Sequence, residues 1–477
     1  MPSEETDTPI ATRRYHFIGA GGIGMSGLAR LLVKNDAIVT GSDAEETAVV
    51  RELRDIGADI RAGHSADNLP EGLDAVVISA AIKETNPELA AAVTKGFAVC
   101  KYAEMLGELM DCYNGIAVCG THGKSTTSGW LAHLMTLAGT DPSYIVGADI
   151  PQLGCSSGVG DSDVFIAEAC EYDRSFLNLH PEVGVILNIE QDHLDYYRDE
   201  DEIVEAFIDF ARGIRQSGVL IVNGQDANVE RVRHAVGDSR TCLTFGLDET
   251  CEFNARNITL VEGLYAFDVY RRNTLLGRTR ISLPGRHNIL NALAVFAAAA
   301  AAGVETEDIL RLLGRFKGMD RRLMLKGDCN GIVVLDDYAH HPTEIRASLE
   351  AIRSRWRPER IWCVFQPHQY SRTRFLLDDF AESFRLADIT IVPEIYFVRD
   401  TGENKRLVNA EVLVDRVRKT GAEALYINDF AGICEYLKVH VRGGDLVVTM
   451  GAGNVWKVAD EYLQWLGKDR KDGLPPV

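Results

Sequence analysis

The sequence of 477 residues contains no CxxC pair, although it has ten cysteines. Their scatter excludes the dense pattern of a disulfide scaffold and the spacing of a zinc knuckle. We therefore expect free thiols in a reducing compartment. The cysteines are Cys100, Cys112, Cys119, Cys155, Cys170, Cys242, Cys251, Cys329, Cys363 and Cys434.

Positive charge is also in short supply. The chain has 50 Lys and Arg residues against 70 Asp and Glu residues, for a net charge of -20. This balance argues against a broad basic surface, so we expect no nucleic-acid partner. It still allows a local phosphate site, because backbone N–H groups at a helix N-terminus and one lysine can supply positive potential.

Long apolar runs are missing as well. The most apolar stretch, residues 293–304, is mostly alanine and is shorter than the roughly 18 residues of a membrane span. We interpret it as a buried helix and expect no membrane insertion. The opening residues, MPSEETDTPIATRR, are polar and lack the apolar core of a signal peptide, so we expect a cytoplasmic protein.

The sequence does contain three stretches in which apolar strands alternate with helices. The length favours about three domains, and an apolar content of 46% is enough to fill several cores. We predict an α/β fold with domains at 1–112, 113–319 and 320–477. The strand and helix succession predicts parallel sheets. Short strands at 257–260, 265–270 and 279–283, separated by turn residues, predict an antiparallel part in the middle domain.

The first glycine loop, GAGGIG at residues 19–24, matches GxGxxG between a strand and a helix, and Asp43 lies about 20 residues further on. Glycines let the backbone approach a pyrophosphate, and the helix N-terminus favours its charge. This chemistry specifies a diphosphate nucleotide, which NAD and a UDP-sugar both provide. Alone, the loop would favour an NAD-dependent oxidoreductase, and a tight turn without a ligand is the structural alternative.

A second glycine loop, GTHGKST at residues 120–126, also lies between a strand and a helix. Val118 stands where the full Walker A pattern has its first glycine, but the GxxGK[ST] core remains. In such a loop the backbone cradles phosphates, Lys124 neutralises their charge and the Ser125 hydroxyl can reach Mg²⁺. Two nucleotide-type loops indicate one site for a nucleotide-linked substrate and another for ATP.

Acidic residues follow the next strands. Glu168 ends one strand, and NIEQDHLD at residues 188–195 follows another. Side chains at the carboxyl ends of parallel strands face the ligand crevice, and carboxylate oxygens suit Mg²⁺. We therefore place Glu168 and His193 near a metal. For four other acids, a solvated or helix-capping role competes about evenly with a site role: Glu171, Asp173, Glu190 and Asp192.

Together these motifs resemble the Mur ligase family over residues 14–460. The segments that carry the resemblance are GAGGIGMSG, GTHGKSTT, AEACEYDRSF, NIEQDHLD, LPGRHNILNALA, DDYAHHPTE, FQPHQYSRTR and GAGNVWKV, in that order. The resemblance implies a Rossmann-like N-terminal domain for a UDP-sugar, a central P-loop ATPase-type domain and a Rossmann-like C-terminal domain that contributes to ATP and amino-acid binding.

The resemblance also implies roles for individual residues. The UDP-sugar site would contain Gly21, Gly22, Ile23, Gly24, Asp43 and Ser79. ATP would be bound by Gly120, Thr121, His122, Gly123, Lys124, Ser125, Thr126, Asn288, Asn291, Arg322 and Asp337. Magnesium would be held by Ser125, Glu168 and His193, and the amino acid by Tyr338, His340 and Arg372. The catalytic set would be Lys124, Glu168, His193, His340 and Arg372. A helix cap is the competing role for Asn288.

The branch of the family that the motifs resemble joins L-alanine to UDP-N-acetylmuramate, with ATP and Mg²⁺ and through an acyl phosphate, in peptidoglycan precursor synthesis. We expect a monomer or homodimer. Four positions depart from the family pattern. Ser125 replaces a threonine and keeps its hydroxyl, Tyr102 replaces an arginine, Cys170 an acid, and Gln369 an arginine found in some members. The segment 196–215 contains no lysine, whereas several sister ligases carry a carbamylated one there. The alternatives are a ligase that attaches recycled peptides to the same UDP-sugar, the NAD-dependent oxidoreductase, and a nucleotide-binding regulator without catalysis.

Overall fold

The structure is a computed structural model that describes residues 10–193, 196–397, 400 and 402–469. The chain divides into two compact units. The first comprises Met1–Glu190, Asp201–Asn254 and Leu293–Leu312, and the second Gln191–Glu200, Ala255–Ala292 and Leu313–Val477. The predicted domain bounds 1–112, 113–319 and 320–477 stay a prediction.

The first unit opens with a parallel five-stranded sheet in the order β3-β2-β1-β4-β5. Its elements are β1 (Arg14–Ile18), α1 (Ile23–Lys34), β2 (Ile38–Asp43), α2 (Ala48–Asp55), β3 (Asp59–Ala62), β4 (Ala75–Ile78), α3 (Pro87–Lys95), β5 (Val99–Lys101) and α4 (Tyr102–Asp111). This is the strand order of a Rossmann-type sheet, in which ligands bind where the order reverses. The reversal lies between β1 and β4, beside the first glycine loop.

The same unit continues with the central sheet, ordered β12-β11-β10-β6-β9-β7-β8 and parallel except for the β7–β8 pair. Its elements are β6 (Asn114–Cys119), α5 (Lys124–Leu137), β7 (Ser143–Ile150), β8 (Cys155–Gly158), β9 (Val164–Glu168), β10 (Val183–Ile186), α6 (Glu200–Gly213), β11 (Val219–Asn223), α7 (Ala227–Val236) and β12 (Thr241–Gly246). Strands β6, β9 and β10 lie side by side, so the loops that follow them meet at one edge of the sheet.

Strand β13 (Phe253–Val261) begins beside β12 in the first unit, and the second unit continues with β14 (Leu264–Arg271) and β15 (Thr274–Arg280). The last two pair antiparallel, as the sequence predicts. The prediction of a strand at 279–283 is wrong in its bounds. Pro284 has no N–H for a ladder, and Gly285, at φ +95°, turns the chain towards α8 (His287–Ala301). Helix α9 (Thr306–Leu312) follows.

The rest of the second unit is a six-stranded sheet in the order β16-β17-β21-β18-β19-β20, parallel except for β16. Its elements are β16 (Met324–Cys329), β17 (Ile332–Asp337), α10 (Pro342–Trp356), β18 (Ile361–Phe365), α11 (Tyr370–Phe375), α12 (Leu377–Ser383), β19 (Ile389–Val392), α13 (Gly402–Leu407), α14 (Ala410–Lys419), β20 (Glu423–Tyr426), α15 (Phe430–His440), β21 (Leu446–Met450) and α16 (Trp456–Asp469). Alternate residues of β18 enter separate buried clusters, as expected for a sheet covered on both faces.

The α/β prediction is confirmed by these sheets. The alanine-rich stretch 293–304 is confirmed as helical up to Ala301, where α8 ends. Helix α8 buries every residue from Leu293 to Ala299. Over the part of the chain that the structure describes, no helix has both the length and the apolar content that a bilayer crossing requires.

Candidate active site

The first glycine loop connects β1 to α1 and is fixed by the end of β2. The N–H groups of Gly19 and Ala20 both donate to the carbonyl of Ser42 over 2.9 Å, and the N–H of Gly21 donates to Asp43 Oδ2 over 2.8 Å. Asp43, which the family resemblance assigns to the UDP-sugar site, therefore also fixes the backbone of the loop. Gly22, the N-cap of α1, supplies no side-chain acceptor to the first turn of the helix, which favours an anion there.

The glycines of this loop are required by close neighbours. A Cβ on Gly21 would lie 2.9 Å from Asp43 Oδ2, and one on Gly24 would lie 2.6 Å from the ring of Tyr102. Ser79 follows β4 and also borders the loop, since its Oγ is 3.6 Å from where a Gly19 Cβ would stand. Burial raises the pKa of the Tyr102 phenol, so this residue presents a neutral ring where the family pattern has an arginine.

The buried carboxylate of Glu88, which no sequence motif indicates, stabilises the loop through Ser42. Glu88 accepts hydrogen bonds from Ser42 Oγ at 2.5 Å, Asn68 Nδ2 at 2.5 Å and the Ser65 N–H at 3.0 Å, and its Oε2 is 3.3 Å from His16 Nε2. Burial opposes its charge, but these contacts outweigh it and lower the pKa of Glu88 to about 2. The network ties Ser42, and through it the glycine loop, to the body of the sheet.

The second glycine loop connects β6 to α5 and encloses a lysine. Lys124 Nζ donates to the carbonyls of Gly120 at 2.6 Å and Thr121 at 3.1 Å, and it pairs with Glu171 Oε2 at 2.9 Å. Burial disfavours the ammonium, yet the neighbouring carboxylates, Glu171 first, raise the Lys124 pKa above its ordinary value. Lys124 is therefore charged in this site, and buried Glu171 is its counter-ion. Gly123, at φ +85°, precedes the helix in the left-handed region.

Asn188, two residues after the end of β10, clamps the same loop, a role that the sequence does not indicate. Its Oδ1 accepts from the His122 N–H at 2.7 Å, its Nδ2 donates to the His122 carbonyl at 3.0 Å, and its own carbonyl accepts from the Thr121 N–H at 3.0 Å. Glu190 adds its N–H to Thr121 Oγ1 at 2.8 Å. One side chain therefore fixes both backbone groups of a loop residue.

We expect Asn188→Ala to raise the KM for ATP by up to about 30-fold. Two hydrogen bonds to the loop backbone, each worth about 1 kcal/mol, are lost, and about 1.4 kcal/mol corresponds to a tenfold change in binding. Steady-state kinetics at varied ATP tests this, with Asn114→Ala as the control, because Asn114 pairs with Asp163 at the opposite end of the central sheet. An unchanged KM for ATP would show that the loop holds its shape without the clamp.

Oxygen ligands meet beside the loop at the end of β9. Ser125 Oγ donates to Glu168 Oε1 over 3.1 Å, and the Gly147 N–H donates to Glu168 Oε2 over 2.7 Å. A hydroxyl adjoining a half-buried carboxylate is the donor set that Mg²⁺ uses when it keeps several waters, so these residues fit a magnesium ion. Thr126 is half-buried in the first turn of α5, and Cys170 is exposed and offers no carboxylate.

In the second unit, Asn288 and Asn291 lie in the first turns of α8. Asn291 Nδ2 donates to Asn288 Oδ1 at 3.0 Å, and Asn288 Nδ2 donates to the Pro284 carbonyl at 2.7 Å. Both side chains are buried. The helix begins at His287, so the capping alternative for Asn288 is wrong. The two side chains instead form a buried amide pair whose orientation is fixed by these hydrogen bonds.

Tyr338 and His340 follow β17 and form a cluster with two arginines. The guanidinium carbons of Arg321 and Arg322 lie 5.1 and 5.0 Å from the centre of the Tyr338 ring, within cation–π range. The ring atom Nδ1 of His340 is 3.1 Å from the Tyr338 carbonyl oxygen, and the backbone N–H of His340 donates to Glu344 Oε2 over 3.0 Å. Burial lowers the pKa of His340 to about 4, so its imidazole is neutral at physiological pH.

Asp337 ends β17 and is 4% exposed. Its Oδ1 accepts from the Ala339 N–H at 3.2 Å, and its Oδ2 accepts from the Ser348 hydroxyl. Burial outweighs these hydrogen bonds and the charge of Arg322, and it raises the pKa of Asp337 to about 6. At physiological pH Asp337 is therefore ionised although burial destabilises its charge, and perturbed pKa values of this kind are common at functional sites.

We expect Asp337→Asn to raise the melting temperature at pH 8, and the gain to shrink as the pH falls towards 4. The raised pKa stabilises the fold fully below the unfolded value of 3.8, and this contribution disappears as the pH rises through about 6. The penalty that the amide removes above pH 6 is at most about 3 kcal/mol. Thermal unfolding of both proteins at several pH values tests this, and a gain independent of pH would contradict it. The lowered pKa of His340 affects the stability of both proteins equally, so it drops out of the difference between their melting temperatures.

Arg372 on α11 is bonded to an acid. Its Nε and Nη2 donate to Asp192 Oδ1 at 3.2 and 2.8 Å, and its Nη1 is 3.3 Å from His368 Nδ1. Burial opposes the charge of Asp192, but Arg372 holds the pKa of that carboxyl far below its ordinary value. The arginine predicted to receive the amino-acid carboxylate thus already has an anionic partner. His193 comes next in the chain and has a left-handed backbone, with φ at +55°.

The structure therefore brings the predicted residues together in groups. The first unit holds both glycine loops, Asp43, Ser79 and the Ser125–Glu168 pair. The second unit holds His193, the two asparagines of α8, the residues after β17, and Arg372. The first unit contains a Rossmann-type sheet with a GxGxxG loop, and a second glycine loop with a charged lysine next to a hydroxyl–carboxylate pair. This combination is characteristic of an α/β nucleotide-binding enzyme.

Comparison with known proteins narrows this class. A model of the Mur ligase family catalytic domain matches residues 14–114, one of the Mur ligase middle domain matches 118–299, and one of the Mur ligase glutamate ligase domain matches 321–453. The chain belongs to the Mur ligase family. This result decides against the NAD-dependent oxidoreductase.

Individual relatives give the same picture. The UDP-N-acetylmuramate–L-alanine ligase of Caldanaerobacter subterraneus subsp. tengcongensis is 42% identical over 456 residues, which cover 95% of this chain and 97% of that protein. The crystal structure of the UDP-N-acetylmuramate-alanine ligase from Thermotoga maritima is 27% identical with a TM-score of 0.77, and the match covers 96% of this chain and 100% of the other. A murein peptide ligase from Psychrobacter arcticus is 26% identical with a TM-score of 0.70, over 98% and 100% of the two chains.

Proposed function

We propose that the protein joins L-alanine to UDP-N-acetylmuramate by an amide bond, with ATP converted to ADP and phosphate, in peptidoglycan precursor synthesis. The observation that carries the proposal is the second glycine loop, where a half-buried, charged lysine and the Ser125–Glu168 pair lie at one helix N-terminus. The 42% identity with an L-alanine ligase supports this acceptor over a peptide. A monomer or homodimer and a cytoplasmic location stay predictions.

The first step is transfer of the γ-phosphoryl group. A carboxylate oxygen of the sugar acid attacks the γ-phosphorus, the bond to the β-phosphate oxygen breaks, and ADP leaves. Lys124 and the backbone N–H groups of the second glycine loop stabilise the negative charge that builds up when the carboxylate approaches the γ-phosphate. When bound by Ser125 and Glu168, with His193 at a second position, Mg²⁺ would supply further neutralisation. The first glycine loop would hold the UDP diphosphate, with Gly21 to Gly24, Asp43 and Ser79 as its lining.

The second step forms the amide. The free amine of L-alanine attacks the acyl carbon, the bond to the phosphate oxygen breaks, and a proton is released from the nitrogen. We assign Tyr338 and His340 to the acceptor site, where the imidazole of His340 is neutral and can therefore accept the proton that the attacking amine loses. We assign Asn288, Asn291, Arg322 and Asp337 to ATP, with the fixed amide pair on α8 suited to the adenine edge.

Phosphate release from ATP and Mg²⁺ tests the proposal, with UDP-N-acetylmuramate present and amino acids or a tripeptide added one at a time. We expect release that requires both the sugar acid and L-alanine, and a product whose mass equals the two substrates minus one water. Release only with the tripeptide would assign the protein to peptide recycling. No release with any acceptor would overturn the ligase proposal.

A further inference from the structure

The backbone of His193 is held in an unfavourable conformation by a specific set of bonds. Its φ of +55° is in the left-handed region, which residues other than glycine adopt only at a cost in free energy. Its N–H donates to Asp192 Oδ1 over 2.7 Å, and its carbonyl accepts from the N–H groups of Tyr196 and Tyr197 at 2.8 and 2.9 Å. Such a conformation persists only where its surroundings determine it.

Asp192 is the centre of this arrangement. Its Oδ1 accepts from the His193 N–H and from two nitrogens of Arg372, at 3.2 and 2.8 Å, and its Oδ2 is 4.0 Å from His193 Nε2. The carboxylate and the guanidinium are both more than nine-tenths buried. Charge-assisted bonds of this kind are strong and directional, so Arg372 fixes the carboxylate and the carboxylate fixes the histidine.

We propose that Asp192 is a positioning residue that, held by Arg372, sets the backbone and ring of His193 for its role at the metal. The inference rests on the proposed function for the importance of His193, but its structural part does not depend on it. It also gives Arg372 a role through Asp192 in addition to, or in place of, direct contact with the amino-acid carboxylate. Partners that orient a metal ligand typically contribute about 10–100-fold to activity or metal affinity.

The test uses the full-length protein, three single variants and the Asp192→Asn/Arg372→Gln double variant. Asp192→Asn keeps an acceptor for the His193 N–H but removes the charge that anchors Arg372, and Arg372→Gln removes the anchor itself. Arg360→Gln is the matched control, because Arg360 also uses Nε and Nη2 to bind a buried carboxylate, Asp445, at 3.1 and 2.7 Å in the same unit. The melting temperature of each variant is measured first.

The structural readout is hydrogen–deuterium exchange, which requires no substrate. Asp192→Asn and Arg372→Gln should each speed exchange at the amides of His193, Tyr196 and Tyr197 by about tenfold or more through local opening, whereas Arg360→Gln should not. The kinetic readout is alanine-dependent phosphate release. Both variants should lower kcat about 10–100-fold, and the double variant should be no worse than the poorer single one, since the two residues act as one unit.

Unchanged exchange at these amides in Asp192→Asn, together with a kcat within twofold of wild type, would overturn the proposal. So would a rise confined to the KM for L-alanine in Arg372→Gln, which would assign that residue to the substrate alone. If wild type releases no phosphate, the proposed function fails, yet the exchange comparison still decides whether Asp192 positions His193. Should Asp192→Asn not fold, Arg372→Gln carries the same two readouts.

Discussion

Replacing Lys124 with alanine should lower kcat by roughly 10³-fold or more, because Lys124, the only lysine or arginine among residues 120–126, is the residue that we assign to the transferred phosphoryl group. A single donor aimed at developing charge in a preorganised site contributes about 10²–10³-fold, and an ammonium in a buried site contributes more than a neutral donor. Phosphate release at saturating ATP measures the loss.

The same substitution also affects stability, so the experiment needs a companion variant. Lys124→Ala leaves the Glu171 carboxylate, which is 2% exposed, without its cation. Breaking a buried pair in this way costs about 3–5 kcal/mol. Adding Glu171→Gln to Lys124→Ala should restore much of the melting temperature but none of the turnover. If the double variant regained activity, Lys124 would be a structural counter-ion and the assignment of the loop to phosphate would be wrong.

The parts of the site that could be predicted from the sequence are those whose signal is local. A strand, a glycine loop and a helix follow one another within a dozen residues, so the positions of both loops and of Glu168 at a strand end could be inferred from periodicity and spacing. Lys124 at the start of α5 needed no information from elsewhere in the chain.

The parts that could not be predicted depend on pairs distant in sequence. Asp192 and Arg372 are separated by 180 positions, and Asn188 clamps His122 across 66. A pattern that places Arg372 in the segment FQPHQYSRTR cannot show that an acid already binds it. The roles of Asp192 and Glu171 stayed open for the same reason, since a carboxylate beside a site and a solvated one look alike in sequence.

The hydrogen bonds of Glu168 explain why its charge, and not only its shape, should matter. Its two oxygens accept from Ser125 Oγ at 3.1 Å and from the Gly147 N–H at 2.7 Å. A glutamine has one acceptor oxygen, so its NH₂ group must face one of these donors. The amide therefore loses the negative charge that a divalent cation requires, and an NH₂ group facing Ser125 Oγ makes that hydroxyl accept where it now donates.

We expect Glu168→Gln to lower kcat by about 10²–10³-fold, the loss typical of one electrostatic group in a preorganised site, and to raise the Mg²⁺ concentration needed for half-maximal rate. The matched control is Asp163→Asn, which removes the same charge next to the opposite end of β9, where Asp163 accepts from Asn114 Nδ2 at 2.6 Å. It should retain nearly full activity and an unchanged magnesium dependence. Equal losses of kcat in the two variants would show that the effect comes from the net charge of the central sheet. A loss in Glu168→Gln alone, relieved in part by higher Mg²⁺, would place the metal at the Ser125–Glu168 pair.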